Sequence, residues 1–312
     1  MKLLTLEGRV IADGLQFPEG PLAMPDGSIL VVEIKAERLT RYGPDGRTLK
    51  VIPISGGPNG LAIGPDGKCY VCNNGGFNWI VAEDGHIRVH GRGDAYTGGS
   101  IQRVDLDSGA VETLYTHCDG HPLCGPNDLV FDAHGGFYFS DLGKHYGRVM
   151  DRGAVFYARA DGSEIREVAF PVMTPNGVGL SPDDGTLYVT ETETCRLWSY
   201  PILAPGVVGK EPWPSPHGGS LVGSPGGYQR FDSLAVEACG NICVGTLENG
   251  GISVFSPTGE LVEFHEAPER MCTNIAFGGP DLTKAYITLS GYGSLIEVDW
   301  PRVGLPLHFL GR

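Results

Sequence analysis

One short phrase recurs six times along this chain, and a repeat of this kind restricts the fold more than any other feature of the sequence. Most copies start with a Pro-polar-Gly step or a close variant, pass through a few apolar residues and a Pro-Asp-Gly-like turn, and end in an aromatic or apolar strand. Each copy therefore predicts two short strands joined by a tight turn. The copies begin at Pro18, Pro58, Pro126, Pro175, Phe231 and Thr273.

The segments between the copies predict two more strands each. Most copies are followed by an alternating apolar and polar stretch, such as Gly153-Ala-Val-Phe-Tyr-Ala-Arg, and then by a turn and another strand. Four antiparallel strands at a period of about 40–55 residues are typical of a propeller blade. Long segments with a helical 3.6-residue period are missing from the sequence. We therefore predict an all-β, six-bladed β-propeller that occupies residues 1–312 as a single domain.

The first strand of the chain precedes the first copy of the phrase. Residues 3–12 lie in a short apolar stretch with a few charges mixed in that looks like a strand, but they belong to no blade of their own. We predict that they form the outer strand of the last blade, because this pairing closes the ring and leaves no free sheet edge.

Two long insertions interrupt the repeat. Residues 73–99 lie within the second blade, and residues 204–229 lengthen the link into the fifth. Both contain Trp and Tyr among Gly residues, and the second also contains several Pro residues. Long insertions in compact domains are usually functional or disordered. We predict that both are lid-like coverings of a pocket, with surface decoration as the alternative.

The charge and cysteine content exclude several classes of partner. With 37 acidic and 23 basic residues the net charge is −14, which argues against nucleic acid and anionic membranes as partners. No stretch approaches the roughly 18 apolar residues of a membrane span. Eight cysteines are too few for a disulfide scaffold, and no secretory signal is apparent. These features predict a cytoplasmic protein with reduced thiols.

The second position of the repeated phrase is always a carboxylate or a carboxamide. Because the phrase starts the innermost strand of each predicted blade, these side chains should converge at one mouth of the central channel. Their oxygens are hard ligands that suit Ca²⁺, Mg²⁺ or Mn²⁺, and two carboxylates would balance one divalent ion. Asn and Asp are also ordinary turn residues, but six polar residues at one repeat position favour a metal site. The six are Glu19, Asn59, Asn127, Asn176, Asp232 and Asn274.

Four phrases, taken together and in order, resemble the SMP-30/gluconolactonase family, whose vertebrate member is also called regucalcin. They are Phe17-Pro-Glu-Gly-Pro, Pro126-Asn-Asp-Leu, Thr174-Pro-Asn-Gly-Val-Gly-Leu-Ser-Pro-Asp and Arg230-Phe-Asp-Ser-Leu-Ala-Val. The resemblance covers residues 12–309 and implies a six-bladed propeller with one divalent metal ion. It implies Glu19, Asn176 and Asp232 as metal ligands, Asn127 as a contact to the substrate or to the water around the metal, and Asp232 as a catalytic base.

One departure from the family pattern bears on the substrate. Sugar lactonases of this family have an Arg shortly before the Asn of the third blade, whereas this chain has Leu123-Cys-Gly-Pro there. The missing Arg argues for a substrate that is less polar than a sugar lactone.

The implied reaction is metal-dependent hydrolysis of a small lactone. The ion, expected to be Ca²⁺ with Zn²⁺, Mn²⁺ and Mg²⁺ as alternatives, would polarise the carbonyl, and water would attack with Asp232 as base. His145, after the second strand of the third blade, and His121, in the loop before Asn127, are candidate substrate-binding residues. Two other functions stay open: a metal-dependent phosphotriesterase at the same site, and a non-catalytic calcium-binding propeller.

Overall fold

The computed structural model describes residues 1–311 and contains β-strands and turns, with no helix in that range. Accordingly, no helix of the described chain is long and apolar enough to cross a membrane. The N-terminal strands are β1 (Lys2–Thr5) and β2 (Gly8–Ala12). In the first two blades and the hairpin between them the strands are β3 (Pro18–Ala23), β4 (Ile29–Glu33), β5 (Arg38–Tyr42), β6 (Thr48–Pro53), β7 (Pro58–Ile63), β8 (Cys69–Asn73), β9 (Phe77–Val81), β10 (Ile87–Arg92), β11 (Ser100–Val104) and β12 (Val111–Tyr115).

The third and fourth blades follow, with two small hairpins beside the third. Their strands are β13 (His117–Cys118), β14 (His121–Pro122), β15 (Pro126–Phe131), β16 (Gly136–Asp141), β17 (His145–Tyr146), β18 (Val149–Met150), β19 (Gly153–Arg159), β20 (Ile165–Val172), β21 (Pro175–Leu180), β22 (Thr186–Glu191), β23 (Arg196–Ala204), β24 (Val207–Val208) and β25 (Ser220–Gly223). The last two blades contain β26 (Arg230–Val236), β27 (Ile242–Leu247), β28 (Gly251–Phe255), β29 (Leu261–Glu266), β30 (Cys272–Gly278), β31 (Lys284–Leu289) and β32 (Ser294–Asp299).

Six antiparallel sheets are arranged in a ring, which confirms the six-bladed propeller. From the axis outward the first three blades are β3-β4-β5-β6, β7-β8-β11-β12 and β15-β16-β19-β20. The fourth is β21-β22-β23 with β24 and β25 both paired to β23, the fifth is β26-β27-β28-β29, and the sixth is β30-β31-β32-β2. The innermost strand of each blade contacts those of both neighbouring blades, so β3, β7, β15, β21, β26 and β30 surround a central channel.

The N-terminal segment closes the ring, but it does so as two strands and not as one. β2 pairs antiparallel with β32 and completes the sixth blade, as predicted. The preceding β1 instead pairs in parallel with β29 and adds a fifth strand to the fifth blade. The prediction of one strand over residues 3–12 is wrong in this respect, because the chain steps from one blade to its neighbour at Leu6, whose N–H donates to the carbonyl of Glu266.

The apolar core consists of six clusters, one at each interface between neighbouring blades. Strand β4 is apolar at consecutive positions, and the burial of both its faces explains this pattern. Leu30 and Val32 face the second blade, while Ile29 and Val31 face the sixth, and all four are fully buried. A strand with both faces buried lacks the alternation of a half-exposed strand.

The two insertions have different positions. In residues 73–99, β9 and β10 form a hairpin that projects from the second blade over one mouth of the channel. Residues 204–229 instead supply β25 to the outer edge of the fourth blade, and none of them lines the cavity at that mouth. The prediction of a lid is wrong for this second insertion, because its backbone completes a blade sheet.

Candidate functional site

One end of the central channel opens into a cavity of about 710 Å³. Five of the six predicted phrase positions line it, each from a different blade: Glu19, Asn59, Asn127, Asn176 and Asp232. The repeat therefore brings these side chains together, although they are up to 213 positions apart in the sequence (232 − 19).

A β-bulge at the same place in each innermost strand explains their convergence. The pairing register shifts between Glu19 and Leu22 in the first blade, and between Phe231 and Leu234 in the fifth. Equivalent shifts follow Pro58, Pro126 and Pro175. In the second to fifth blades the polar residue lies within the bulge and outside the ladder, which re-aims its side chain toward the channel mouth, whereas Glu19 pairs with Val32 at the edge of the bulge.

The sixth phrase position departs from the prediction. Leu234 of the fifth blade and Ile275 of the sixth occupy equivalent places in their strand pairings. Two residues before them stand Asp232 and Thr273, so Thr273, and not Asn274, corresponds to Asp232. Asn274 does not line the cavity. It lies one residue deeper, where its Nδ2 donates to Oε2 of Glu19 at 2.9 Å. The error arose because the sixth copy lacks the proline that marks the first position in four of the others.

Glu19 is a buried carboxylate that accepts hydrogen bonds from neighbouring residues. Its Oε2 accepts from the amide of Asn274 and from the backbone N–H of Gly20, both at 2.9 Å. Burial raises the pKa of Glu19, and these hydrogen bonds lower it in part. The arrangement fixes Oε2, and a hydrogen bond from the side chain of Thr273 also lowers the pKa of Glu19.

Asp232 is the second acid of the site and is only partly exposed. Burial, and after it the negative charge of Glu19, raises the pKa of Asp232 well above its ordinary value. The neighbouring Asn176 is held by a hydrogen bond from its Nδ2 to Oγ1 of Thr192 at 3.0 Å, and its Oδ1 accepts from the hydroxyl of Ser233 at 3.3 Å. Two acids that oppose each other's ionisation form a site to which a cation is complementary.

The residues present fit a divalent ion. Oδ1 of Asn127 is buried and has no hydrogen-bond partner within residues 1–311, so an acceptor oxygen is left unsatisfied at the cavity. In the described chain, no group of three or more His, Cys, Asp and Glu side chains is arranged so that it could hold a metal ion. A metal at this mouth would therefore depend on amide oxygens together with the two carboxylates, a donor set of the kind that hard cations take.

The two candidate histidines are placed differently. His145, the first residue of β17, is partly buried and lines the cavity. His121 is exposed in the small hairpin β13–β14 and is not among the lining residues. Because His121 lies a few residues before Asn127 in the sequence, we expected it to lie close to the cavity. The hairpin instead directs it away from the mouth.

Several lining residues were missed by the sequence analysis. Lys144 lies fully buried beside His145 and lines the cavity. Arg230 lines the cavity next to Asp232, and its Nη2 donates to Oε1 of Glu248 at 2.6 Å. The hairpin contributes further residues, among them Phe77, Ile80 and His86. The one signal in the sequence for these residues was the insertion itself. The insertion contacts residues that are far away in the sequence, and such contacts leave no periodicity.

The chain matches the family model described as the SMP-30/gluconolactonase/LRE-like region over residues 17–291. A lactonase of Staphylococcus saprophyticus is 32% identical over 186 residues, which are 58% of this chain and 55% of that protein. The chain thus spans about half the length of this relative. A gluconolactonase of Zymomonas mobilis is 25% identical over 302 residues, 86% of this chain and 75% of the relative.

Solved structures share the fold over nearly the full chain. A calcium-binding protein, regucalcin, of Agrobacterium tumefaciens has a TM-score of 0.75 at 19% identity and covers 98% of this chain and 100% of its own. A gluconolactonase of Xanthomonas campestris has a TM-score of 0.71 at 22% identity, covering 93% and 88%. At these identities the likeness concerns the propeller fold alone.

Proposed function

The chain belongs to the SMP-30/gluconolactonase/LRE-like family, and from this premise we propose that it is a metal-dependent lactonase. The observation that carries the proposal is the pair of acids, Glu19 and Asp232, whose pKa values are both raised at the mouth of one cavity. Acids with raised pKa values in a cavity are typical of functional sites. The names of the relatives support lactone hydrolysis as the reaction.

Glu19, Asn176 and Asp232 would hold the ion, and we expect Ca²⁺ because all their donor atoms are oxygens. When bound, a divalent ion at this place polarises a substrate carbonyl and stabilises the negative charge that develops on its oxygen. The relation to a calcium-binding propeller supports this choice of ion.

The remaining steps belong to the protein's own residues. Asp232, in its ionised form, accepts a proton from the water that attacks the carbonyl carbon. Asn127 presents its free Oδ1 to the cavity as an acceptor that orients this water or a substrate hydroxyl. The bond between the carbonyl carbon and the ring oxygen then breaks, and the proton taken by Asp232 passes to the ring oxygen. One water is consumed, and the product is an open hydroxy acid.

A panel of γ- and δ-lactones tests the proposal. The protein is treated with EDTA, and single metals are then returned. We expect hydrolysis of at least one lactone that disappears with EDTA and returns with Ca²⁺ or another oxygen-preferring ion. A phosphotriester serves as the comparison substrate. Turnover of the phosphotriester without turnover of any lactone would replace the proposed reaction, and lactone hydrolysis that is indifferent to EDTA would refute its dependence on metal.

A further inference from the structure

Lys144 is a lysine with almost no contact with solvent. Its exposed fraction is 1%, and it lies between β16 and β17 of the third blade beside the cavity. Within the described chain its ammonium has no carboxylate at ion-pair distance. Burial lowers the pKa of Lys144 to about 7. A buried amine of this kind is unfavourable unless its hydrogens have partners.

The hydrogen-bond and aromatic partners of the Lys144 ammonium come from the insertion in the second blade. Its Nζ donates to Oδ1 of Asn74 and to the carbonyl of Gly76, both at 3.0 Å. It also lies 3.5 Å from the ring centroid of Phe77 and 5.4 Å from that of Tyr96. A cation over an aromatic face gains stabilisation that is larger when the cation is removed from water.

The orientation of Asn74 depends on this contact. Its Oδ1 also accepts from the N–H of Gly76 at 2.9 Å, so this oxygen receives two donors. Its Nδ2 is buried and has no partner in the described residues. The amide therefore leaves a donor unsatisfied while it presents its oxygen to the ammonium, a cost that the Lys144 contact offsets.

The contacts with Asn74, Gly76 and Phe77 lie at the root of the hairpin β9–β10. Phe77 is the first residue of β9, and the hairpin supplies Ile80, Val89 and other residues to the cavity wall. Lys144 thus joins the third blade to the place where this wall leaves the second blade.

We propose that Lys144 is a positioning residue that anchors the hairpin β9–β10 and so determines which substituents on a lactone fit the cavity. This inference rests on the proposed lactonase function. A small unsubstituted ring would occupy the polar mouth around Asp232 without needing the hairpin. A ring with a long alkyl substituent would need the wall that the hairpin forms.

The test replaces the ammonium by an apolar group of similar length. In Lys144→Met we expect kcat/KM for a δ-lactone with a seven-carbon alkyl chain to fall about tenfold, and that for δ-valerolactone to change by less than about twofold. The control is Lys68→Met, since Lys68 makes a partly exposed ion pair with Asp105 at 3.7 Å and does not line the cavity. Equal losses on both lactones, or no loss on either, would refute a positioning role.

A second readout needs no substrate. Arg88 and Arg92 of β10 are exposed trypsin sites, and release of the hairpin root should speed cleavage after them about tenfold relative to other sites, followed by mass spectrometry. Unchanged cleavage would overturn the inference, whether or not the parent protein hydrolyses the two lactones. If the parent protein hydrolyses neither lactone, that result would separately refute the proposed function. If Lys144→Met fails to fold, as judged by circular dichroism, Lys144→Gln is used with the same two readouts.

Discussion

Glu19 and Asp232 are acids that the fold withdraws from water and places at one mouth of the channel, where burial raises the pKa of both. Immediately below them, burial raises the pKa of Asp128 to about 7. Simultaneous ionisation of these three acids is unfavourable, because their negative charges would lie close together near one axis. At the scale of single residues, the site is therefore arranged for a cation or for a shared proton.

Asp232→Asn separates the role of Asp232 as a metal ligand from its role as a proton acceptor. The change keeps an oxygen of about the same size but removes the group that accepts a proton. We expect the fold to remain intact and kcat at saturating metal to fall about 10²–10⁴-fold, the usual effect of losing a general base.

Glu19→Gln is the matched control, because it also removes one charge but leaves Asp232 in place. We expect weaker metal binding with partial recovery of rate at high metal concentration. If Asp232→Asn keeps the parent turnover once metal is saturating, the base lies elsewhere, and His145 becomes the next residue to replace.

The same two acids predict how stability depends on pH. In the metal-free protein, the pKa of each acid is higher in the folded state than in the unfolded state. At pH values between these two pKa values, the folded protein therefore binds more protons than the unfolded protein. Its free energy of unfolding should therefore fall as pH rises from the ordinary carboxyl range through the raised pKa values. Bound Ca²⁺ would favour the ionised pair, so the rise in Tm on adding Ca²⁺ should be larger at about pH 8 than at about pH 5.

Differential scanning calorimetry with and without Ca²⁺ measures this trend. Asp232→Asn, which has one acid fewer, should show a flatter dependence. A Ca²⁺-induced rise in Tm that is equal at both pH values, or larger at the lower one, would contradict the assignment of these acids as metal ligands.

At the scale of elements, the hairpin β9–β10 is held at both ends by contacts of unequal strength. Its root is fixed by the buried Lys144. Its tip meets the sixth blade, where the N–H of Ile87 donates to the carbonyl of Gly291 at 2.8 Å and the hydroxyl of Tyr292 donates to Oδ2 of Asp84 at 2.9 Å. Because Asp84 and Tyr292 are exposed, the tip is the end that should open more easily.

Tyr292→Phe tests this difference, because it removes the hydroxyl while keeping the ring that packs on His86. We expect amide hydrogen exchange in residues 84–87 to rise about two- to fivefold, as the loss of one exposed hydrogen bond implies, with the global Tm unchanged. The control is Tyr228→Phe, an exposed tyrosine of the other insertion. Exchange that rises throughout the second blade would show that the tip is not an independent unit.

At the scale of the whole molecule, the repeat made the ring of blades and five of its channel-lining residues predictable. Each blade is built from local hairpins, so the signals for its strands and turns lie within a few residues of one another. The sixth position was misplaced by one residue because Cys272 stands where four copies have proline. Lys144 could not be predicted, since its partners are about 70 positions away, and neither could the outward direction of His121.

Closure of the ring is the property that depends most on the molecule as a whole. Deleting residues 1–12 removes β2, leaves β32 as a free edge and takes away Ile11, which is 5% exposed in the core between the first and sixth blades. Burial of Ile11 and the hydrogen bonds of β2 together contribute about 4 kcal/mol. We expect Tm to fall by about 10 °C.

The matched control is deletion of residues 1–5, which removes the exposed β1 but leaves both Leu6 and the closed sixth blade. This shorter deletion should lower Tm by less than about 3 °C, because β1 buries little apolar surface. The longer deletion should also self-associate with rising concentration in light scattering, since an unpaired strand edge is a template for another chain. If both deletions melt alike and stay monodisperse, β2 does not close the propeller, and the contacts among the innermost strands suffice to hold the sixth blade in the ring.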